Sequence, residues 1–121
     1  MITPGIDHIA LTVPDLDAQV DRLTSAFGMV VEGRTEHFAV VADPASGLKI
    51  ELGRSADADV HFRHVGFRAD DVDADHAGLV AAGMTTSQAP HHRDVAGMYT
   101  SFLTQIGGME VQLVRYDDAS R

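Results

Sequence analysis

The stretch IDHIALTVPDLDAQVDRLTSA (residues 6–26) decides the fold, because a later stretch of the chain repeats it. At an offset of 56 residues, it aligns with FRHVGFRADDVDADHAGLVAA (residues 62–82). The closing segments also correspond, since GLKIELGR (residues 47–54) aligns with GGMEVQLVR (residues 107–115). Internal similarity of this kind is typical of a repeated structural unit, so the chain is interpreted as two equivalent halves.

Each half is predicted to form a strand, a helix and three further strands. Residues 6–13 alternate in hydrophobicity, as in a strand with one buried face. Asp15 predicts a helix start, because aspartate caps the free N–H groups of a first turn, and Gly28 predicts the helix end. The second half repeats this pattern from about Asp71 to Gly83. The predicted apolar stripe of the first helix consists of Leu16, Val20, Leu23 and Phe27.

These elements predict an α+β fold. We expect one domain over residues 1–121, with tandem βαβββ modules at about 5–55 and 60–117. One such module is too small to bury a core alone, so the two are expected to form a curved mixed sheet around a cleft, with the helices on the convex face. In the second module, His76 is interpreted as a partly buried structural residue of the helix. The segment His91-His92-Arg93 is predicted to be a solvated loop.

Composition excludes several classes of function. The 121 residues include 18 acidic and 9 basic side chains, and this net charge of -9 disfavours binding to nucleic acid or to an anionic membrane. Cysteine is absent, which excludes disulfides, thiolate metal sites and cysteine nucleophiles. The N-terminal segment resembles neither a signal peptide nor a membrane span, so we expect a cytoplasmic protein.

Two histidines and two glutamates occupy equivalent positions in the two halves: His8, Glu51, His64 and Glu110. Their strand neighbours are apolar and should pack against the helices, so these four side chains should point to the opposite face. A single strand histidine or glutamate is more often simply packed or solvated. The paired occurrence favours one divalent metal site with nitrogen and oxygen ligands, for Ni, Co, Zn, Mn or Fe.

Further residues are predicted to contact a substrate on the same face. Arg68 and Gln112 share the strand face of the proposed ligands and are expected to orient the substrate. The remaining candidates for lining the pocket are Thr12, Phe62 and Thr100. Carboxylates that hold a metal can also transfer protons, so Glu51 and Glu110 are both candidates for the catalytic base.

The duplication, the two openings IDHIALTVPDLD and RHVGFRADDVDA, and the closings DPASGLKIEL and GGMEVQLV resemble the vicinal oxygen chelate superfamily. That superfamily includes glyoxalase I, methylmalonyl-CoA epimerase, extradiol dioxygenases and bleomycin-binding proteins. By position, the resemblance places the metal ligands at His8, Glu51, His64 and Glu110, a set most similar to that of glyoxalase I. It also makes Glu110 the preferred base.

The resemblance implies a metal-dependent lyase or isomerase of glyoxalase I-like type, which stabilises an enolate or enediolate of a small oxygenated metabolite. Two alternatives stay open at this point. One is a drug- or natural-product-binding resistance protein without turnover, and the other is an iron-dependent dioxygenase. We expect a homodimer, and the metal ligands then come either from one chain or from two.

Overall fold

The computed structural model describes residues 4–105 and 107–117, which form eight strands, two α-helices and one short 3-10 helix. In chain order these are β1 (Pro4–Val13), α1 (Leu16–Ser25), β2 (Val30–Arg34), β3 (Phe38–Ala42), β4 (Lys49–Arg54), β5 (His61–Ala69), α2 (Val72–Ala81), β6 (Thr85–Arg93), the 3-10 helix (Asp94–Ala96), β7 (Met98–Thr104) and β8 (Glu110–Tyr116). This order confirms the α+β class and the two βαβββ repeats.

Both α-helices begin at the aspartates that the sequence indicated. The Asp15 carboxylate accepts a hydrogen bond from the backbone N–H of Ala18 at 3.0 Å. The Asp71 carboxylate accepts one from the N–H of Ala74, also at 3.0 Å. Each cap satisfies a first-turn N–H and places negative charge near the positive end of the helix dipole.

The helix ends require backbone conformations that favour glycine. Gly28 and Gly83 have φ values of +70° and +107°, in the left-handed region where other residues are strained. The helix α1 ends at Ser25, so Phe27 lies beyond it and is 70% exposed. Its assignment to the apolar stripe was wrong, because the chain leaves the helix before a further turn is complete.

The chain divides into two compact units. The N-terminal unit covers residues 8–63, and the C-terminal unit covers residues 4–7 and 64–117 of the described chain. The strand order is β2-β3-β4-β1 in the first unit and β5-β8-β7-β6 in the second. In each unit, the first and last strands of the repeat pair in parallel, and the other neighbours are antiparallel.

Each unit has its own hydrophobic core. In the N-terminal unit it is formed by Val13, Leu16, Val20, Ala39, Val41 and Leu52. The C-terminal core is formed by Ala69, Val72, Leu103, Val111 and Leu113. Both cores therefore join one face of the strands to the single helix of the same unit, and side-chain alternation assigns the neighbouring residues to the other face. Ile9 is an apolar strand neighbour of His8 but is 41% exposed, so the expectation that all of these apolar neighbours pack against the helices was wrong at this position.

The segment His91-His92-Arg93 is not a loop, because it forms the last part of β6. Its three residues pair with Thr100, Tyr99 and Met98 of β7. Two register shifts precede this pairing, between Thr86 and Gln88 and between Gln88 and His91. Beyond these irregularities, the pairing with β7 resumes after Pro90. Proline is typical of loops and strand ends, which explains why the sequence predicted a loop here.

Neither of the two α-helices in the described part of the chain is long and apolar enough to cross a membrane.

His76 is buried in the C-terminal unit, as expected for a structural histidine. Its Nδ1 lies 2.8 Å from the Ser101 hydroxyl, and its Nε2 lies 2.8 Å from the Thr86 hydroxyl. Burial lowers the pKa of His76, and the nearby Asp73 carboxylate opposes this shift only partly. The ring is therefore held neutral and joins α2 to two strands.

We predict that protonation of His76 destabilises the protein. Because its folded pKa is lowered, its contribution is fully present above the unfolded value of about 6.5 and is lost as the pH falls towards the folded pKa. Urea unfolding of wild type and His76→Gln between pH 7.5 and 5 should show a steeper loss of stability in wild type. A His37→Gln variant, altered at an exposed loop histidine, should keep the wild-type pH dependence. Identical profiles for His76→Gln and wild type would contradict the prediction.

Candidate functional site

In the N-terminal unit, His8 of β1 faces Glu51 of β4. The parallel register pairs Ala10 with Glu51, so the two side chains come from neighbouring strands. The His8 Nε2 lies 3.5 Å from the Glu51 Oε2. The His8 side chain is fully buried and that of Glu51 is 17% exposed, so this polar pair lies inside the unit with only a narrow exposed edge.

The C-terminal unit contains the equivalent pair. The His64 Nδ1 of β5 lies 4.0 Å from the Glu110 Oε1 of β8, and the side chains are 13% and 36% exposed. The Phe102 ring contacts His64 edge-on, with centroids 5.4 Å apart and planes at 84°. This contact limits the orientations of the imidazole, so His64 is held by packing as well as by its polar neighbour.

The chemistry of both pairs fits a divalent cation. Each offers one imidazole nitrogen and one carboxylate oxygen, which are donors for first-row metals. Neighbouring ligands of one ion are ~3.0–3.4 Å apart when metal–ligand bonds are ~2.1 Å long. The separations in the two pairs are close to this range and longer than an ordinary hydrogen bond. Each pair is thus suited to supply two ligands.

Two of the predicted substrate residues are connected to each other. The Thr100 hydroxyl donates to the Leu113 carbonyl oxygen at 2.6 Å and accepts from the Gln112 Nε2 at 2.8 Å. Both side chains are buried. Because the hydroxyl proton is used by Leu113, Thr100 can only accept from the amide, and this determines which end of the Gln112 amide faces it.

The other three candidates lie apart from this chain of hydrogen bonds. Arg68 is on β5, where its Nε donates to the buried Asp7 carboxylate at 2.9 Å. Thr12 is half-buried on β1 beside Gly53, and Phe62 is 49% exposed near the start of β5. Sequence reasoning missed Asp7, Phe102 and Tyr116 as neighbours of these residues. A charged residue within the alternating pattern of β1 was the available signal for Asp7.

A second group of metal-type side chains lies where the segment between the repeats joins the start of β5. Asp57, Asp59 and His61 are exposed, and their ligand atoms lie within 4.8 Å of one another. The Asp57 carboxylate accepts from the Asp59 N–H and contacts the His61 ring at 2.8 Å. These bonds lower the pKa of Asp57.

The sequence profile of the Glyoxalase/Bleomycin resistance protein/Dioxygenase superfamily matches residues 5–113. The chain belongs to this superfamily. The match covers both repeats and confirms the resemblance based on the two openings and closings. A search of curated protein sequences finds no significant match.

Solved structures of other superfamily members have the same fold. Methylmalonyl-CoA epimerase from Mycobacterium tuberculosis is 22% identical with a TM-score of 0.80, and the alignment covers 95% of this chain and 89% of that one. A Streptomyces coelicolor methylmalonyl-CoA epimerase variant in complex with 2-nitronate-propionyl-CoA is 25% identical with a TM-score of 0.70, covering 94% of each chain. A methylmalonyl-CoA epimerase with methylmalonyl-CoA and NH4+ is 24% identical with a TM-score of 0.70, covering 97% and 96%.

We predict that Thr100→Val destabilises the C-terminal unit by about 1–3 kcal/mol. The change keeps the shape of the side chain but removes the buried hydroxyl that donates to the Leu113 carbonyl oxygen and accepts from the Gln112 amide. Both buried groups then lose a hydrogen bond. Thr85→Val is the matched control, because Thr85 is exposed on β6 and its replacement should change stability by no more than about 0.5 kcal/mol. Urea unfolding measures both, and equal effects of the two variants would refute the assigned role of Thr100.

Proposed function

We propose that the protein is a metal-dependent isomerase that moves a proton at a carbon next to a carbonyl group of a small metabolite. The observation that carries the proposal is the occurrence of two repeat-equivalent His–Glu pairs, His8 with Glu51 and His64 with Glu110. One His–Glu pair on two neighbouring strands would be weak evidence for a metal site. Two pairs at matching places in a duplicated fold supply four ligands of the types that a divalent ion requires.

In this proposal, His8, Glu51, His64 and Glu110 hold the metal, either within one chain or between two chains of a homodimer. The bound ion supplies Lewis-acid polarisation of substrate oxygens and stabilises negative charge that develops there. The candidate ions remain Ni, Co, Zn, Mn and Fe, because imidazole and carboxylate ligands accept all of them.

Proton transfer is assigned to a glutamate of the same set. A carboxylate accepts the proton from the substrate carbon and returns it to the same carbon or to its neighbour, which distinguishes an epimerase from a glyoxalase-type isomerase. Glu110 is our first choice, since its side chain is 36% exposed and thus easier for a substrate to reach than Glu51 at 17%. Glu51 is then chiefly a ligand.

Two substrate classes follow from this chemistry. Acyl thioesters with an acidic C2 proton come first, because the similar solved structures are described as methylmalonyl-CoA epimerases. The second candidate is a 2-oxoaldehyde adduct, as in glyoxalase I-like lyases. The glutamate at position 51 favours it, because this residue makes the set of proposed ligands most similar to that of glyoxalase I. Arg68, Gln112, Thr12, Phe62 and Thr100 remain the proposed substrate contacts.

We predict that protein purified without chelators retains a divalent metal in stoichiometric amount. Elemental analysis should find the metal in wild type, and His64→Ala and Glu51→Gln should lower its affinity at least ~10-fold, because each variant removes a ligand. Glu36→Gln, altered at an exposed loop carboxylate, is the control and should bind as wild type does. Wild type without stoichiometric metal would count against the proposed function. A metal-loaded protein that elutes as a single chain would exclude the site between two chains.

We predict that the metal-loaded protein exchanges the C2 proton of an acyl thioester with solvent. Methylmalonyl-CoA in D2O, followed by proton NMR, should lose its C2 signal, and Glu110→Gln should slow this exchange by about 10²–10⁴-fold.

A hemithioacetal of methylglyoxal and glutathione tests the glyoxalase-type reaction in parallel. Catechol with an oxygen electrode tests the dioxygenase alternative, and oxygen uptake there would refute the isomerase. Saturable binding of these compounds without any turnover would instead indicate a binding protein.

A further inference from the structure

Asp7 is a buried carboxylate in the C-terminal unit, with only 1% of its surface exposed. Its Oδ1 accepts from the Arg68 Nε at 2.9 Å, and its Oδ2 accepts from the Tyr116 hydroxyl at 2.6 Å. Three separate elements, β1, β5 and β8, therefore meet at one carboxylate. Both of its oxygens receive a hydrogen bond, and one of the two donors is charged.

A buried carboxylate is expensive unless it is paired, and an apolar residue at the same place would pack without that cost. What the arrangement achieves is a defined position for the Arg68 side chain. Guanidinium is planar, so a hydrogen bond at Nε together with the fixed carboxylate restricts the rotation of the whole group. The Tyr116 hydroxyl donates to the other oxygen of the carboxylate and so restricts the rotation of the Asp7 side chain.

Most of the donors of Arg68 remain available. The guanidinium has five N–H donors, and the hydrogen bond to Asp7 uses the one at Nε. Within residues 4–105 and 107–117, no other hydrogen bond of the Arg68 side chain is present, and this side chain is 35% exposed. Its terminal nitrogens thus offer a planar pair of donors, which matches the oxygens of a carboxylate or a phosphate.

Arg68 lies on the same strand and the same strand face as His64. Its neighbours Phe67 and Ala69 belong to the helix-facing core, so alternation directs Arg68 to the other face, together with Gly66 and His64. Four residues along a strand correspond to about 13 Å between the two Cα atoms. A group that binds to Arg68 is therefore well separated from one that contacts His64.

We propose that Asp7 and Tyr116 hold Arg68 as a binding site for an anionic oxygen group of the substrate, remote from its reacting carbon. Arg68 is the binding residue, and Asp7 and Tyr116 are positioning residues. The inference depends on the proposed function in one respect, namely that the anionic ligand is part of the substrate. It selects elongated metabolites with a carboxylate or a phosphate at the far end over compact ones without such a group.

The test measures anion binding to metal-free protein by NMR, from the arginine Nε–H groups and from the backbone amides of β5, which every variant retains. Malonate and inorganic phosphate are titrated separately at constant ionic strength, so that the two arms distinguish a carboxylate from a phosphate site. In wild type, the Arg68 resonance should shift and saturate with at least one of the two anions. The protein carries a net charge of -9, which disfavours non-specific attraction of anions to the molecule as a whole.

Variants separate positioning from simple stability. Arg68→Gln should abolish the saturable shift of the β5 backbone amides, and Tyr116→Phe and Asp7→Asn should weaken the apparent affinity by about 3–10-fold, because the guanidinium loses its fixed orientation. Arg93→Gln removes the same charge from an exposed strand end and should bind as wild type does. Tyr116→Phe removes only a hydroxyl, so it serves as the measure of positioning if Asp7→Asn fails to fold.

Two results would overturn the inference: absence of saturation in wild type, or an unchanged affinity in both Arg68→Gln and Tyr116→Phe. The metal content of the protein as purified, before the metal is removed for the titration, distinguishes this failure from that of the proposed function. Saturation at Arg68 in a protein that carried no metal as purified supports the anion site and counts against the metal-dependent isomerase. Metal retention without saturation refutes the anion site alone.

Discussion

The alternation of side chains along the strands is the constraint on which the rest of the structure depends. In each unit, the strands can bury only one face against the single available helix, and apolar residues such as Val13, Leu52 and Leu113 occupy that face. The residues between them have to point the other way. His8 and Glu51 are placed in this manner, and the same rule places His64 and Glu110.

Parallel pairing of the first and last strands of each repeat brings the polar side chains of the two strands together. The two strands are far apart in sequence, and a helix and two strands separate them. Their direct pairing brings His8 to within 3.5 Å of Glu51, and His64 to within 4.0 Å of Glu110. The same topology that closes each core therefore also assembles each polar pair, so the packing of the cores and the positions of these four side chains depend on each other.

The acidic residues divide into groups with different physical roles. Asp15 and Asp71 cap the two helices, and hydrogen bonds from the Ser46 hydroxyl and the Ala45 N–H lower the pKa of Asp43 in the turn before β4. Asp7 is different, because it is buried and bonded to two side chains of distant strands. Among the described residues, most carboxylates are thus exposed to solvent, whereas Asp7 is buried.

Local chemistry and repetition in the amino-acid sequence encode the two βαβββ modules, the helix starts at the aspartates, and the strand face of each candidate ligand. Tertiary structure decided the rest. Phe27 is exposed and His91-His92-Arg93 continues β6, because helix length and strand pairing depend on partners that a local pattern does not contain. The joining of Asp7, Arg68 and Tyr116 also depends on tertiary structure, since three strands must meet before one carboxylate can accept from two side chains.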